Sequence, residues 1–200
     1  MASKITQISA VNILLANIGQ APTSSLDVSN PQVALAVNQL NQISNDVQTE
    51  GWVFNTEQNY PFMPDNAGHI AIPSNVARLD LPQWISSNVQ PVIRSGKLYD
   101  KIKHSFVWAG VQELDVVWLF DFDELPESAK QYITVRAANL FAMRMTGSTE
   151  IAKYSEREEA NARAALLEYE CTQGDYSIFS DGTGVSPIRT NSPLSTIWRY

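Results

Sequence analysis

The sequence predicts an α+β fold: a bundle of about four helices, with a small, irregular and mostly antiparallel β region inserted between the second and third. Apolar residues recur at steps of three and four near both ends of the chain, which is the period of an amphipathic helix. The middle, from about 52 to 122, has alternating apolar and polar runs instead. Five of the ten prolines lie between Pro61 and Pro91, so we expect short strands and long loops there.

The helices are predicted over about 3–18, 31–50, 126–146 and 149–172. Gly19 and Gly51 follow the first two, and glycine readily ends a helix because it tolerates the left-handed conformation. Asn30 and Pro31 open the second helix as a cap and a proline at the first helical position. Pro126 opens the third helix, so these boundaries have local chemical causes.

The strands are predicted from three segments of the middle. Val76–Leu81 alternates as a half-buried strand does. Pro91–Asp100 contains two short strands around a turn at Ser95 and Gly96. Leu114–Phe122 has the length and the branched side chains of a buried strand. Together they would form the inserted β region.

Gly51, Trp52 and Phe54 stand where the second helix gives way to the β region. We interpret residues 52–55 as the start of a strand, so that the two rings share one face. Each ring would bury on the order of 150–250 Å². We therefore predict that these residues join the helix bundle to the β region and do not form a ligand pocket.

Composition limits the classes of function. The net charge is −7, and an acidic chain does not favour tight nucleic-acid binding, which needs clustered Lys and Arg. Charged residues make up 18%, below the roughly 25% usual for globular proteins, which indicates either large protein contacts or ordinary variation. The single cysteine, Cys171, excludes an internal disulfide and is predicted to have a packing role. Apolar runs are too short for a membrane helix.

Acidic residues crowd between Glu113 and Glu127, where no Lys or Arg intervenes. Paired carboxylates of this kind could serve acid–base chemistry or a cation, as in a small acidic-site hydrolase or metal-binding enzyme. The interpretation that we favour is that they stabilise the N-terminus of the helix that Pro126 opens. A third interpretation is a negative surface that lies near DNA without gripping it. His69 and His104 are isolated, so no residue is assigned to catalysis, a cofactor or a metal.

The segment 180–200 is predicted to be an extended C-terminal tail, because it has no helical period. Its end carries Ile197, Trp198 and Tyr200, which would dock either on the same subunit or on another one. The second helix also has an almost uncharged polar face that includes Gln39 and Gln42. These five residues are our candidate inter-subunit contacts.

Five blocks of sequence, in this order, resemble the tail tubular protein A family of short-tailed bacteriophages. They are "SAVNILLANIGQAPTSSL" (Ser9–Leu26), "VQTEGWVFNTE" (Val47–Glu57), "GKLYD" (Gly96–Asp100), "FDFDELPESAKQYITVRAA" (Phe120–Ala138) and "EYECTQGDYSIF" (Glu168–Phe179). The resemblance covers roughly Ser9 to Phe179, whereas Ile102–Leu114 and the tail match poorly. Partner contacts in those two segments therefore cannot be carried over from the family.

The resemblance implies a structural virion protein without enzymatic activity or cofactor, in which 1–179 is a single adaptor domain. Such proteins form a dodecameric head-to-tail adaptor ring between the portal protein and the tail nozzle, a tubular protein B-like partner. They act as gatekeepers of the genome, and the tail fibre is a further expected partner. The resemblance also implies that double-stranded DNA passes through without specific binding, that no membrane is involved, and that assembly takes place in the host cytoplasm.

An acidic channel wall would let DNA slide, because like charges repel its phosphates. We therefore expect some of the crowded acids, or the Glu-rich last helix, to face the lumen of the ring. The candidate lumen-facing acids are Glu113, Asp115, Asp121, Asp123 and Glu124.

Overall fold

The computed structural model describes residues 4–27, 29–82, 89–146 and 149–173, and within these the side chains of 146–155 are left aside. The helices of this part are α1 (Gln7–Asn17), α2 (Pro31–Thr49), α3 (Glu127–Thr146) and α4 (Thr149–Gln173). The strands are β1 (Thr56–Phe62), β2 (Val76–Asp80), β3 (Pro91–Arg94), β4 (Lys97–Asp100) and β5 (Gln112–Trp118). The predicted α+β fold is confirmed, with the described strands between α2 and α3.

The β region consists of two antiparallel sheets. One has three strands in the order β1-β5-β2, with β5 in the centre, and the other is the β3–β4 hairpin. The predicted turn at Ser95 and Gly96 is confirmed, and both residues have positive φ angles of 50° and 69°. Such a turn twists as the flanking strands do, which explains the two-residue connection.

The molecule has two layers, the helix bundle and the β region, and each layer has its own hydrophobic core. Residues from all four helices form the first, including Leu14, Leu40, Ile133 and Leu166. The second lies in the β region and includes Ile70, Leu98, Leu114 and Val116. Phe120 packs against both cores, so the two layers meet near the end of β5.

Two predicted boundaries differ from those in the structure. The helix α1 begins at Gln7 and not at about 3, since Thr6 and Ser9 form a capping box. The strand β5 ends at Trp118 and not at Phe122, because the chain turns into a short 3₁₀ helix at Phe122–Glu124. Sequence periodicity does not detect such exits from a strand.

Residues 52–55 do not begin a strand, so that prediction is wrong. Val53–Asn55 is a 3₁₀ turn, because the Asn55 Oδ1 accepts a hydrogen bond from the Trp52 N–H at 2.8 Å and bends the backbone. The predicted packing role of Cys171 is also wrong, since its side chain is exposed. Within the described ranges, none of the helices has the length and apolar character to cross a membrane.

Candidate interaction surfaces

A buried amide, that of Gln48, connects the end of α2 to the segment after β5. Its Oε1 accepts from the Phe120 N–H at 2.8 Å, and its Nε2 donates to the Phe120 carbonyl at 3.0 Å. The Nε2 also donates to the Ser44 Oγ at 3.0 Å, and Gln48 is fully buried. A buried polar group is costly unless it is satisfied, so these bonds hold the segment in one place.

A second buried amide, that of Asn55, lies beside the first. Its Nδ2 donates to the carbonyls of Gln48 and Trp118, at 2.8 Å each. Its Oδ1 caps the turn at Trp52, so one side chain contacts α2, the 3₁₀ turn and the end of β5. Sequence reasoning missed Gln48 and Asn55, because Gln and Asn are usually surface residues.

The three residues predicted to join the layers lie next to these amides. Gly51 has a φ of +81°, and a Cβ there would lie 3.0 Å from the Arg78 Nη2 and 3.3 Å from the Val117 Cγ2. Trp52 is buried in the helical core and donates its Nε1–H to the Val47 carbonyl at 2.7 Å. Phe54 is partly buried against that core. Both rings thus contact the helices from a turn.

Glu170 of α4 contacts the junction, which is the region around Gln48, Trp52 and Asn55 where the helix bundle meets the β region. Its Oε2 accepts from the Val53 N–H, and the side chain is only 7% exposed. Burial raises the pKa of this carboxyl, while hydrogen bonds from the N–H groups of Val53 and Phe54 act in the opposite direction. The junction therefore contains a carboxylate whose charged form is disfavoured.

Charged side chains connect the end of α2 to α3 and α4. Glu50 pairs with Arg163 at 3.1 Å and with Arg136 at 3.6 Å, and Arg136 lies 3.7 Å from Glu159. Both guanidinium groups donate to the Tyr132 hydroxyl at 3.0 Å. The group is half-exposed, so we regard it mainly as a geometric link between helices.

The predicted acids fall into two separate places. Asp121, Asp123 and Glu124 are exposed and line a surface groove of about 580 Å³. Glu113 and Asp115 lie on β5 and do not line it. In the part of the chain that is described, no group of three His, Cys, Asp or Glu residues is placed to hold a metal ion.

We name this concavity the acidic groove. It is lined by Gln7, Asn41, Ser44, Asn45, Phe120, Asp121, Phe122, Asp123 and Glu124. Asp123 has a structural role, since its Oδ1 accepts from the Gln7 N–H at 2.9 Å. The neighbouring Glu127 accepts from the Ile5 N–H at 2.7 Å, so these two carboxylates stabilise the start of α1. Asp121 and Glu124 remain on the rim.

The candidate inter-subunit contacts differ in their surroundings. Gln39 is 6% exposed, and its Oε1 accepts from the Arg144 Nη1, which counts against a contact to a neighbour. Gln42 is exposed and stays a candidate. The tail residues Ile197, Trp198 and Tyr200 lie outside the described residues.

The last helix offers a large surface. At about 1.5 Å per residue, the 25 residues of α4 span about 37 Å. Its buried side chains in 156–173 are Ala162, Leu166 and Glu170, which form a single narrow stripe. Over 156–173, the α4 side chains outside this stripe are exposed or half-buried, so the described part of the chain leaves most of this helix surface uncovered.

The sequence profile of the tail tubular protein family matches residues 8–176, so the chain belongs to this family. A protein named tail tubular protein A, of Klebsiella phage KP34, is 25% identical over 165 residues, which cover 82% of this chain and 86% of that protein. The chain is therefore a structural protein of a phage tail and a component of the virion.

Proposed function

We propose that this chain is the subunit of a dodecameric adaptor ring that joins the portal to the tail nozzle and takes part in genome retention and release. The observation that carries the proposal is the narrow buried stripe of α4 in a chain that belongs to the tail tubular family. A ring subunit must contact two neighbours through two different faces, which requires wide surfaces that are not covered within the subunit.

The lumen of the ring carries exposed acids in this proposal. Glu113 on β5 and three glutamates on α4, Glu156, Glu158 and Glu168, are exposed in the single chain. Asp115 is half-buried and accepts from the Asn59 N–H at 3.1 Å, so it is a weaker candidate. Repulsion between a wall of carboxylates and DNA phosphates would keep the genome mobile in the channel.

The direct test is a cryo-EM reconstruction of the tail in virions of the parent phage. We expect a closed ring of this chain, with one face on the portal and the other on the nozzle. Virions that lack the chain, or that contain it outside a ring, would contradict the proposal.

The role of the acids has its own test. Changing Glu113, Glu156, Glu158 and Glu168 to Gln should slow DNA exit from assembled particles, because the repulsion is lost. Exposed glutamine is nearly neutral for stability, so particles should still assemble. Unchanged ejection kinetics with intact rings would eliminate this part of the proposal.

A further inference from the structure

We propose that copies of this chain contact each other head to tail, through a basic tip on one copy and the acidic groove on the next. The basic tip consists of Arg94, Lys97, Lys101 and Lys103 on the β3–β4 hairpin and the turn after it. This inference rests on the proposed ring, for which it supplies one contact surface.

The basic tip is a rigid part of the β region. The Oδ1 of Asp100, which is 2% exposed, accepts from the N–H groups of Ile102 at 2.9 Å and Gln90 at 3.3 Å. Asp100 and Ser105 also exchange two backbone hydrogen bonds, of 2.9 and 3.3 Å. The intervening turn therefore fixes the backbone that carries the exposed Lys101 and Lys103, so only their side chains have to be ordered on contact.

The basic tip combines charge with exposed apolar area. Ile93 is 39% exposed and Ile102 is 49% exposed, beside the cations. The Arg94 guanidinium lies 4.1 Å from the centre of the Tyr99 ring, which orients it. A mixture of apolar and basic groups suits a protein surface better than a phosphate backbone, which offers no apolar partner.

The acidic groove has the complementary composition. Asp121 and Glu124 are exposed on its rim, and the half-buried Phe120 and the buried Phe122 are among its lining residues. The wall on α2 is polar but uncharged, with Asn41 and Asn45 among its residues. A basic side chain could therefore meet carboxylates at the rim while an apolar neighbour contacts the aromatic lining.

The charges of both surfaces are not used in ion pairs within the described part of the chain. The salt bridges found there join Glu50, Arg136, Glu159 and Arg163 only. Lys97 is the weakest member of the basic tip, since its Nζ lies 3.4 Å from the His69 Nδ1 and Asp65 is nearby. Lys103 is attracted by the nearby carboxylate of Asp100, so Lys101 carries most of the proposed contact and Lys103 contributes to it.

Charge and ring geometry both indicate that a second copy of this chain binds in the acidic groove. A net charge of −7 disfavours contact between copies of the chain, and surfaces of opposite sign that meet reduce this repulsion. A head-to-tail contact requires two different, complementary surfaces on one chain. The basic tip in the β layer and the acidic groove in the helical layer meet that requirement.

Charge reversal on the full-length chain tests the contact. One variant carries Lys101→Glu and Lys103→Glu, and a second carries Asp121→Lys and Glu124→Lys, leaving the capping residue Asp123 unchanged. Each should weaken self-association at low salt by about tenfold or more in sedimentation velocity, because like charges then face each other. Glu57→Lys, at an exposed position on β1 outside both surfaces, is the control for charge reversal elsewhere on the chain and should associate as the parent does.

Complementation makes the test specific. Mixing the two variants, or combining all four changes in one chain, should restore association, since opposite charges meet again. Loss of association in the single sets without restoration, despite unchanged melting temperatures, would overturn the contact. Loss of DNA binding by the tip variant with unchanged assembly would also overturn it and assign the tip to nucleic acid.

A parent chain that remains monomeric in solution shifts the measurement to virions. Zero-length carbodiimide cross-linking should then join Lys101 or Lys103 of one copy to Asp121 or Glu124 of another. Links from these lysines exclusively to other proteins, or no such links, would refute the contact. Rings that form without the contact would leave the proposed function intact, whereas the absence of any ring would refute that function as well.

Discussion

The side chain of Gln48 binds both the N–H and the carbonyl of Phe120, 72 residues further along the chain, at 2.8 and 3.0 Å. A strand partner would make the same pair of bonds, but here a single amide makes them between two layers. Gln48→Leu removes both bonds and places an apolar side chain of similar size at this position. We expect it to cost about 2–4 kcal/mol, because the Phe120 groups are left without partners.

Urea denaturation of the full-length chain measures this effect. Gln42→Leu on the same helix is the matched control, since Gln42 is exposed, and it should stay within about 0.5 kcal/mol of the parent. A Gln48→Leu protein as stable as this control would show that the amide is dispensable.

Trp52→Ala tests the role of the buried ring. The ring packs in the helical core and its Nε1–H is bonded to Val47, so we expect a loss of about 3–5 kcal/mol. Phe54→Ala should cost less because Phe54 is only partly buried, and Val53→Ala least, since Val53 is 38% exposed. Thermal melting gives the ranking, and a Trp52→Ala protein that melts within a degree or two of the parent would contradict it.

Gly51 and Gly19 form a natural pair for separating strain from steric conflict. Both have positive φ, +81° and +74°, but a Cβ on Gly19 would meet nothing within 4 Å. Gly19→Ala should therefore cost about 1–2 kcal/mol from backbone strain alone. Gly51→Ala should cost more, because its Cβ would also press on Arg78 and Val117. If denaturant titration gives equal losses of unfolding free energy for the two variants, Arg78 and Val117 move aside at little cost.

Glu170 predicts a pH dependence of stability. Its raised pKa means that the folded state favours the neutral carboxyl, so its contribution is fully present below the usual pKa of 4.5 and is lost as the pH rises through the elevated pKa. Glu170→Gln keeps an acceptor for the Val53 N–H without the charge. We expect it to melt a few degrees above the parent at pH 8, with the gap closing toward pH 4.

Glu168→Gln, at an exposed position on the same helix, is the control for this series. Its melting temperature should follow that of the parent at every pH. A constant difference between Glu170→Gln and the parent across the range would refute the role assigned to burial.

Helical periodicity and glycine positions were sufficient to predict the layers. The stop at Gly51 and the turn at Ser95 and Gly96 are local, so they can be read from neighbouring residues. Asn55 could not be interpreted in this way, because its importance depends on Trp118, 63 residues away. The Asn55 side chain produces the 3₁₀ turn at Val53–Asn55. The alternating positions of Trp52 and Phe54 had indicated a strand there, which is wrong.

The candidate surfaces were predicted only in part. The acids were visible as a run, but their division between β5 and the acidic groove depends on where β5 ends. The net charge of −7 drew attention away from Arg94, Lys97, Lys101 and Lys103, which are four of the chain's 14 Lys and Arg residues within ten positions. A local charge count would have found the basic tip.

The polar character of the junction has a consequence for symmetry. Packed rings tolerate some rotation, whereas amide hydrogen bonds depend on direction, so Gln48 and Asn55 fix the tilt between the two layers. In the proposed ring of identical copies, a deviation in this tilt would be repeated at each step. Under the proposed ring, a tilt fixed by directional bonds would make every copy present its two faces at the same angle, which closure of the ring requires.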